Sequence, residues 1–184
     1  MTFFIDVGAG CGEIFTLDDV VPPEQRKATG LLCIEPSPRN FVHLMAAAEQ
    51  HGHEWADVAL FNAALTDTTG IGELHLKTDH SGDSLVREWA ENEPKKFCLW
   101  VGTIHVAQLL RRLPRGFKPY NRVVLKLDCE GAESDILMSL LDDPAFMAYY
   151  PRILVEWHDA DPDCRQYLER TYKQRGIELE LWNH

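Results

Sequence analysis

Short apolar runs recur along the chain at spacings that leave room for a helix between neighbours. Residues 3–7 (FFIDV), 31–35 (LLCIE), 58–61 (VALF), 123–128 (VVLKLD) and 153–157 (ILVEW) are rich in leucine and β-branched residues. Each reads as a strand buried on both faces, the pattern of a parallel sheet. Helical periodicity fills the gaps. One helix is expected to open at Pro38 and run through Phe41, Leu44, Met45 and Ala48 to Gly52. A second follows Gly131, with Ile136, Leu137, Leu140 and Leu141 on one face. A third begins at Asp161-Pro162, with Asp161 as its cap, and ends at Gly176. A shorter one over 106–113 is expected to stop at Pro114. Strands alternating with crossover helices predict an α/β fold with an open, mostly parallel sheet. Residues 72–78 (GELHLKT) and 177–182 (IELELW) alternate apolar and polar positions and read as half-exposed strands.

The first run ends in a glycine-rich turn, with Gly8, Gly10 and Gly12 at every second position. A loop after a parallel strand lies at the carboxyl edge of the sheet, where open α/β folds bind ligands. Glycines there let a ligand approach the backbone. A dinucleotide site wants G-x-G-x-x-G, but Glu13 stands at the sixth position, and Asp6 lies just before the loop. Both acids oppose a pyrophosphate. S-adenosylmethionine (SAM) has no phosphate and carries a sulfonium and an ammonium, so Asp6 and Glu13 suit it. Glu35 ends the second run, where an acid accepts both ribose hydroxyls. NAD enzymes use the same device, so Glu35 does not separate the two cofactors.

Several segments together resemble the FkbM family of SAM-dependent methyltransferases: FIDVGAGCG, IEPSPRNF, NAALTDTTGIGELHL, Ser84-Leu85, LKLDCEGAESDIL and ILVEWH. They stand in the family's order and cover most of the chain, and KLDCEGAE (residues 126–133) is the most specific piece. The resemblance implies a three-layer, Rossmann-like class I methyltransferase fold with seven strands; this chain departs from it by being abbreviated at both termini, with the antiparallel seventh strand missing or shortened after residue 182. The resemblance also implies SAM at the carboxyl edge, S-adenosylhomocysteine (SAH) as product, and O-methylation of a sugar or similar hydroxylated acceptor. By resemblance, Asp6, Gly8, Gly10 and Gly12 hold the methionine part, Glu35 holds the ribose, and Ala64 and Asp67 lie near the adenine; Ala9, Glu13 and Pro36 complete the expected cofactor-binding set. Pro22-Pro23 shortens the first crossover helix, and the abbreviated ends leave the acceptor side open, or completed by a second subunit or neighbouring domain.

Methyl transfer to oxygen must orient two reactants and remove a proton from a weakly acidic hydroxyl. The ends of the fourth and fifth strands offer Asp128, Glu130, Glu156 and His158 as candidate catalytic groups. Asp128 reads either as a helix-capping acid or as an acid facing the sulfonium or the acceptor, which also counts it among the cofactor-binding residues. Glu133 reads as a first-turn acid complementing the helix dipole. Glu156 and His158 are two apart on one strand and share a face. His158 is either a general base or a loop-bonding histidine. A divalent metal held by Asp128, Glu156 and His158 is chemically open, and none is assigned. Residues 159–163 (DADPD) evoke a calcium loop, but Cys164 and Arg170 occupy positions that need glycine and glutamate. Cys11 reads as a small filler, and Ser84 as a helix cap or a cleft residue. Trp89, Trp100, Tyr120, Tyr149 and Tyr150 read as core or as stacking surfaces for a sugar.

Composition narrows the partners. The chain of 184 residues suits a single domain spanning 1–184. Its net charge of -11 disfavours nucleic acid as a partner. Five single cysteines without C-x-x-C spacing argue against a disulfide framework or structural zinc. No apolar run reaches the ~20 residues of a membrane span. These features predict a cytoplasmic protein with no nucleic acid and no membrane as partner; the small hydroxylated or sugar acceptor is what the resemblance implies. Two rival expectations stand beside methyl transfer: a catalytically silent domain of a larger protein or assembly, and an NAD-dependent oxidoreductase, which Glu13 disfavours.

Overall fold

The computed structural model describes residues 1–77, 82–86, 97–116, 122–147, 152–158 and 161–182. Six strands form the main sheet: β1 (Thr2–Val7), β2 (Thr29–Ile34), β3 (Asp57–Phe61), β7 (Arg122–Leu127), β8 (Arg152–Val155) and β9 (Glu178–Leu181). Their order is β3-β2-β1-β7-β8-β9, and every pairing is parallel. The strand order therefore reverses direction at β1, between β2 and β7, and ligands of open α/β sheets bind at such a switch point. Three further strands form a second, smaller sheet. In it β4 (Ala64–Thr66) pairs parallel with β6 (Phe97–His105), and β5 (Gly70–Leu76) pairs antiparallel with β6.

Alternation along each strand builds two cores. Phe3, Ile5 and Val7 of β1 join Leu125 and Leu127 of β7 on one face. There they pack against Val106 and Leu110 of α3 (Val106–Gly116), Ile136, Leu137 and Leu140 of α4 (Glu133–Leu141), and Leu168 and Tyr172 of α6 (Pro162–Gln174). Phe4, Leu31, Cys33, Val124 and Leu154 face the other way, toward Phe15, Leu44 of α2 (Pro38–His51), Trp55 and Trp182. Helices on both faces of a parallel sheet give the expected three-layer, Rossmann-like arrangement.

The helices follow their signals at most positions. Pro38 and Pro162 stand in the first turns of α2 and α6, and Asp161 accepts the Asp163 backbone N–H at 3.0 Å. The first crossover is short: a 3₁₀ turn over Glu13–Phe15 and one helical turn, α1 (Pro23–Arg26), as Pro22-Pro23 predicts. One more single turn, α5 (Pro144–Met147), precedes β8.

Two expectations need correction. α3 does not stop at Pro114 but runs to Gly116, because a proline in a last turn removes only one backbone donor. β6 has no counterpart among the predicted strands, because its sequence, FCLWVGTIH, mixes exposed and buried positions instead of forming an apolar run. The main sheet has six strands among the described residues, and β9 lies parallel beside β8, in keeping with a missing or abbreviated antiparallel seventh strand. No helix among the described residues is long and apolar enough to cross a membrane. All five cysteines are free.

Candidate functional site

The glycine loop is fixed by backbone geometry. Gly8, Gly10 and Gly12 have φ of 73°, 53° and 95°, a region side chains avoid. At Gly8 a Cβ would lie 1.7 Å from the Asp128 carbonyl oxygen, so only glycine lets the β1 loop pass the end of β7. The backbone N–H groups of Gly8 and Ala9 both donate to the Ile34 carbonyl, at 2.9 and 3.1 Å. Gly12 does other work. It is buried against Leu44 and Ala47 of α2 and lies off the cleft wall, in the manner of a glycine that lets a helix approach.

A cleft of about 600 Å³ opens beside this loop, within the ~300–1,000 Å³ range of small-molecule sites. Its walls include Asp6, Gly8, Ala9, Gly10, Glu13, Glu35, Pro36 and Ala64 from the β1–β4 side and Asp128 and Glu130 from the β7 side. Asp67 is exposed beyond β4 and does not line it. Cys11, expected as a filler, is exposed on the cleft wall.

Glu35 spans two loops. One carboxylate oxygen accepts the Gly10 N–H at 2.9 Å and the other accepts the Ser37 N–H at 2.8 Å. Burial pushes its carboxyl up to about 7, against the downward pull of those two N–H donors. Each oxygen takes one donor here and keeps capacity for another.

Asp6 corrects the charge argument drawn from the loop. It is buried, and it bonds the Lys126 ammonium at 2.9 Å, its register partner on β7. Lys126 also bonds one oxygen of Asp128 at 3.1 Å and lies over the Trp182 ring at 5.5 Å from its centroid. Burial alone would lower the lysine; the Asp6 and Asp128 carboxylates more than reverse that and hold it above its ordinary value. Asp6 is thus neutralised within the protein, and Glu13 and Glu35 carry the loop's remaining negative charge. The sequence shows a charged residue inside each of the two apolar runs, Asp6 and Lys126, but only the strand register pairs them.

Past β7 and β8 a group of side chains converges. His158 Nδ1 is 3.0 Å from the Glu133 carboxylate. His158 Nε2 faces Glu156 at 3.6 Å, Glu130 at 3.7 Å and Asp128 at 3.9 Å. Burial pulls the imidazole down, but Glu133, Glu130 and Asp128 override it and raise the group to about 9. Glu133, fully buried, also accepts the N–H groups of Cys129 at 2.7 Å and Gly131 at 3.2 Å. It serves the start of α4 as a first-turn acid and also orients His158, a second task that spacing alone does not reveal. Glu130 has φ 53°, an unusual value for a residue with a side chain. Asp128 and Glu130 line the cleft, whereas Glu156 and His158 stand behind Asp128.

The segment 82–86 closes on this edge. Ser84 donates to the Glu130 carbonyl at 2.6 Å and accepts the Val86 N–H at 2.9 Å. Asp83 pairs with Arg39 of α2 at 2.5 Å. The helix expected after Ser84-Leu85, and Trp89, Tyr120, Tyr149 and Tyr150, lie outside the described residues. Trp100 is exposed on β6.

No family model and no curated protein matches the chain. Among solved structures, the fold is similar to a methyltransferase FkbM from Methylobacillus flagellatus KT, with a TM-score of 0.55 and 14% sequence identity over 97% of this chain. This chain spans 38% of the length of that one. The likeness establishes a Rossmann-like methyltransferase fold.

Proposed function

We propose that the cleft binds SAM and that the chain is a SAM-dependent methyltransferase acting on a hydroxyl of a carbohydrate or similar small acceptor. The observation that carries this is a ligand-sized cleft at the switch point, floored by glycine backbone, with the Glu35 carboxylate on its wall. The residues fit the cofactor. Gly8 and Gly10 put no side chain into the cleft, and Glu35 retains acceptor capacity on both oxygens for ribose hydroxyls. Glu13 and Glu35 suit a cationic ligand without phosphate. When bound, SAM supplies an electrophilic methyl group on a positively charged sulfur.

The protein's own groups do the rest. Lys126 holds Asp6 and one oxygen of Asp128, which fixes the cleft floor and leaves the second Asp128 oxygen free of that bond. Asp128 and Glu130 stand on the cleft wall as candidate acceptors for the hydroxyl proton. The 82–86 segment, tied to Glu130 and α2, narrows the cleft on the acceptor side.

Calorimetry with SAM and SAH tests this. Binding of either at micromolar concentration is expected, with NAD giving no heat; thermal stabilisation by NAD but not by SAM would overturn it. A second reading is a silent domain acting within a larger assembly, and the 38% span of the structural relative favours keeping it in view. SAM binding without methyl transfer across a panel of glycans and hydroxylated metabolites would select it.

A further inference from the structure

We propose that Asp128, Glu156 and His158 form a site for one divalent cation of the Mn²⁺ or Mg²⁺ class at the inner edge of the cleft. One ligand atom from each lies within 4.8 Å of the others. A common centre at ~2.0–2.2 Å from each ligand requires spacings up to about 4.4 Å. The trio therefore needs to close by only a few tenths of an ångström.

The cluster is not only a group of acids. Its central donor is an imidazole nitrogen, and the ring is anchored from behind. Glu133, buried and fixed by two backbone N–H groups, holds Nδ1 at 3.0 Å and turns Nε2 toward the three carboxylates. Metal-bound histidines have this arrangement, with the far nitrogen on a carboxylate. Nε2 faces Glu156, Glu130 and Asp128 at 3.6, 3.7 and 3.9 Å, which places the three carboxylates on one side of the ring. Lys126 occupies one Asp128 oxygen, and the other is the one that faces His158. Independently of this geometry, the group adjoins the cleft through Asp128 and Glu130, so an ion here has an open side toward a ligand.

Two carboxylates and one imidazole favour a hard cation that accepts nitrogen, and Mn²⁺ fits this better than Ca²⁺. Glu130, at 3.7 Å from Nε2, is placed to add a fourth donor or to bond a bound water. The ion would position the acceptor's hydroxyl oxygen and favour loss of its proton to Glu130, the cleft-wall carboxylate outside the trio, since the ion then engages the Asp128 oxygen that Lys126 leaves. That role rests on the methyltransferase reading; the site itself does not.

The test is a titration of Mn²⁺ into the purified chain, followed by the electron paramagnetic resonance of free ion. One ion per chain is expected. Glu156→Gln and Asp128→Asn each weaken it by tenfold or more, and Glu133→Gln weakens it about tenfold to a hundredfold through loss of ring orientation. Thermal melts confirm that the variants fold. No uptake by the unaltered chain at about 1 mM ion overturns the site without recourse to variants. So does uptake that Glu156→Gln leaves unchanged, because the ion then sits elsewhere. A parallel SAH titration by calorimetry separates the two readings. Mn²⁺ uptake without SAH binding supports the cation site and removes methyl transfer, whereas SAH binding without Mn²⁺ uptake removes the cation site alone.

Discussion

The two walls of the cleft are held by different physics. On the β1–β2 wall, backbone does the work: glycines at positive φ, two N–H groups on the Ile34 carbonyl, and Glu35 accepting from Gly10 and Ser37. On the β7–β8 wall, side-chain charges do it: Lys126 between two acids, and His158 among four. Backbone shape tolerates change in the ligand's charge but not in the protein's volume. A charge network tolerates changes in volume but not removal of one member, because the remainder is left uncompensated in a low-dielectric site.

The largest effect should therefore come from the charged wall. Lys126→Met leaves Asp6 buried without its counter-charge. The expected cost is about 3–5 kcal/mol, read as a fall in melting temperature of roughly 2–4 °C per kcal/mol for a chain of this size. Adding Asp6→Asn should restore much of the loss. If the single variant melts like the parent, the network is not what holds that wall.

The backbone wall breaks next. Gly8→Ala places a methyl 1.7 Å from the Asp128 carbonyl and forces alanine to φ 73°. Strain and displacement together should cost about 2–4 kcal/mol by urea melt. Gly102→Ala on β6, where nothing lies within 4 Å, is the control and should stay within about 0.5 kcal/mol.

These walls were unequally legible in the sequence. The glycines and Glu35 declare themselves because a turn after a parallel strand is a local pattern, and local patterns survive without coordinates; Ala64 was reached only through the resemblance. Asp128 and Glu130 were reachable through the most specific matching segment. The Asp6–Lys126 pair was not read, because it depends on the register of strands 120 residues apart. Gly12 and Asp67 were grouped with the loop and the β4 region by position, yet one packs on α2 and the other faces solvent. β6 escaped because strands half exposed on a small sheet carry no continuous apolar run. The open parallel sheet followed from alternation, whereas its strand order required the pairing itself.

A third prediction joins the walls through protonation. The Glu35 carboxyl sits at about 7 in the fold, above its unfolded value of ~4.3. The folded state therefore holds the extra proton between these values. Stability from this group is fully present below the unfolded value and falls as pH rises through about 7. In Glu35→Gln that slope disappears. The stability of the parent relative to the variant should increase by about 1–3 kcal/mol from pH 8 to pH 5. The ribose contact proposed for Glu35 would run the other way, because the ionised form is the stronger acceptor. SAH affinity of the parent should rise with pH across 6–8, and Glu35→Gln should lose about tenfold at pH 8. Opposite slopes for stability and affinity would separate the two tasks of one carboxylate; parallel slopes would assign both to folding.

The smallest effect sharpens the comparison most. Ser84→Ala removes one donor to the Glu130 carbonyl and one acceptor for the Val86 N–H, at an expected cost of about 1 kcal/mol. Because those bonds join a short segment to the charged wall, the loss should fall on local opening and leave global melting almost unchanged. Faster amide exchange confined to 82–86 and Gly131 is the expected signature, since Glu130 at φ 53° depends on its neighbours to stay in place. If SAH binding then weakens more than stability does, the segment acts on the ligand through the charged wall. If exchange quickens instead around Gly8 and Gly10, the two walls form one mechanical unit, and the contrast between backbone and charge describes how each is built but not how it moves.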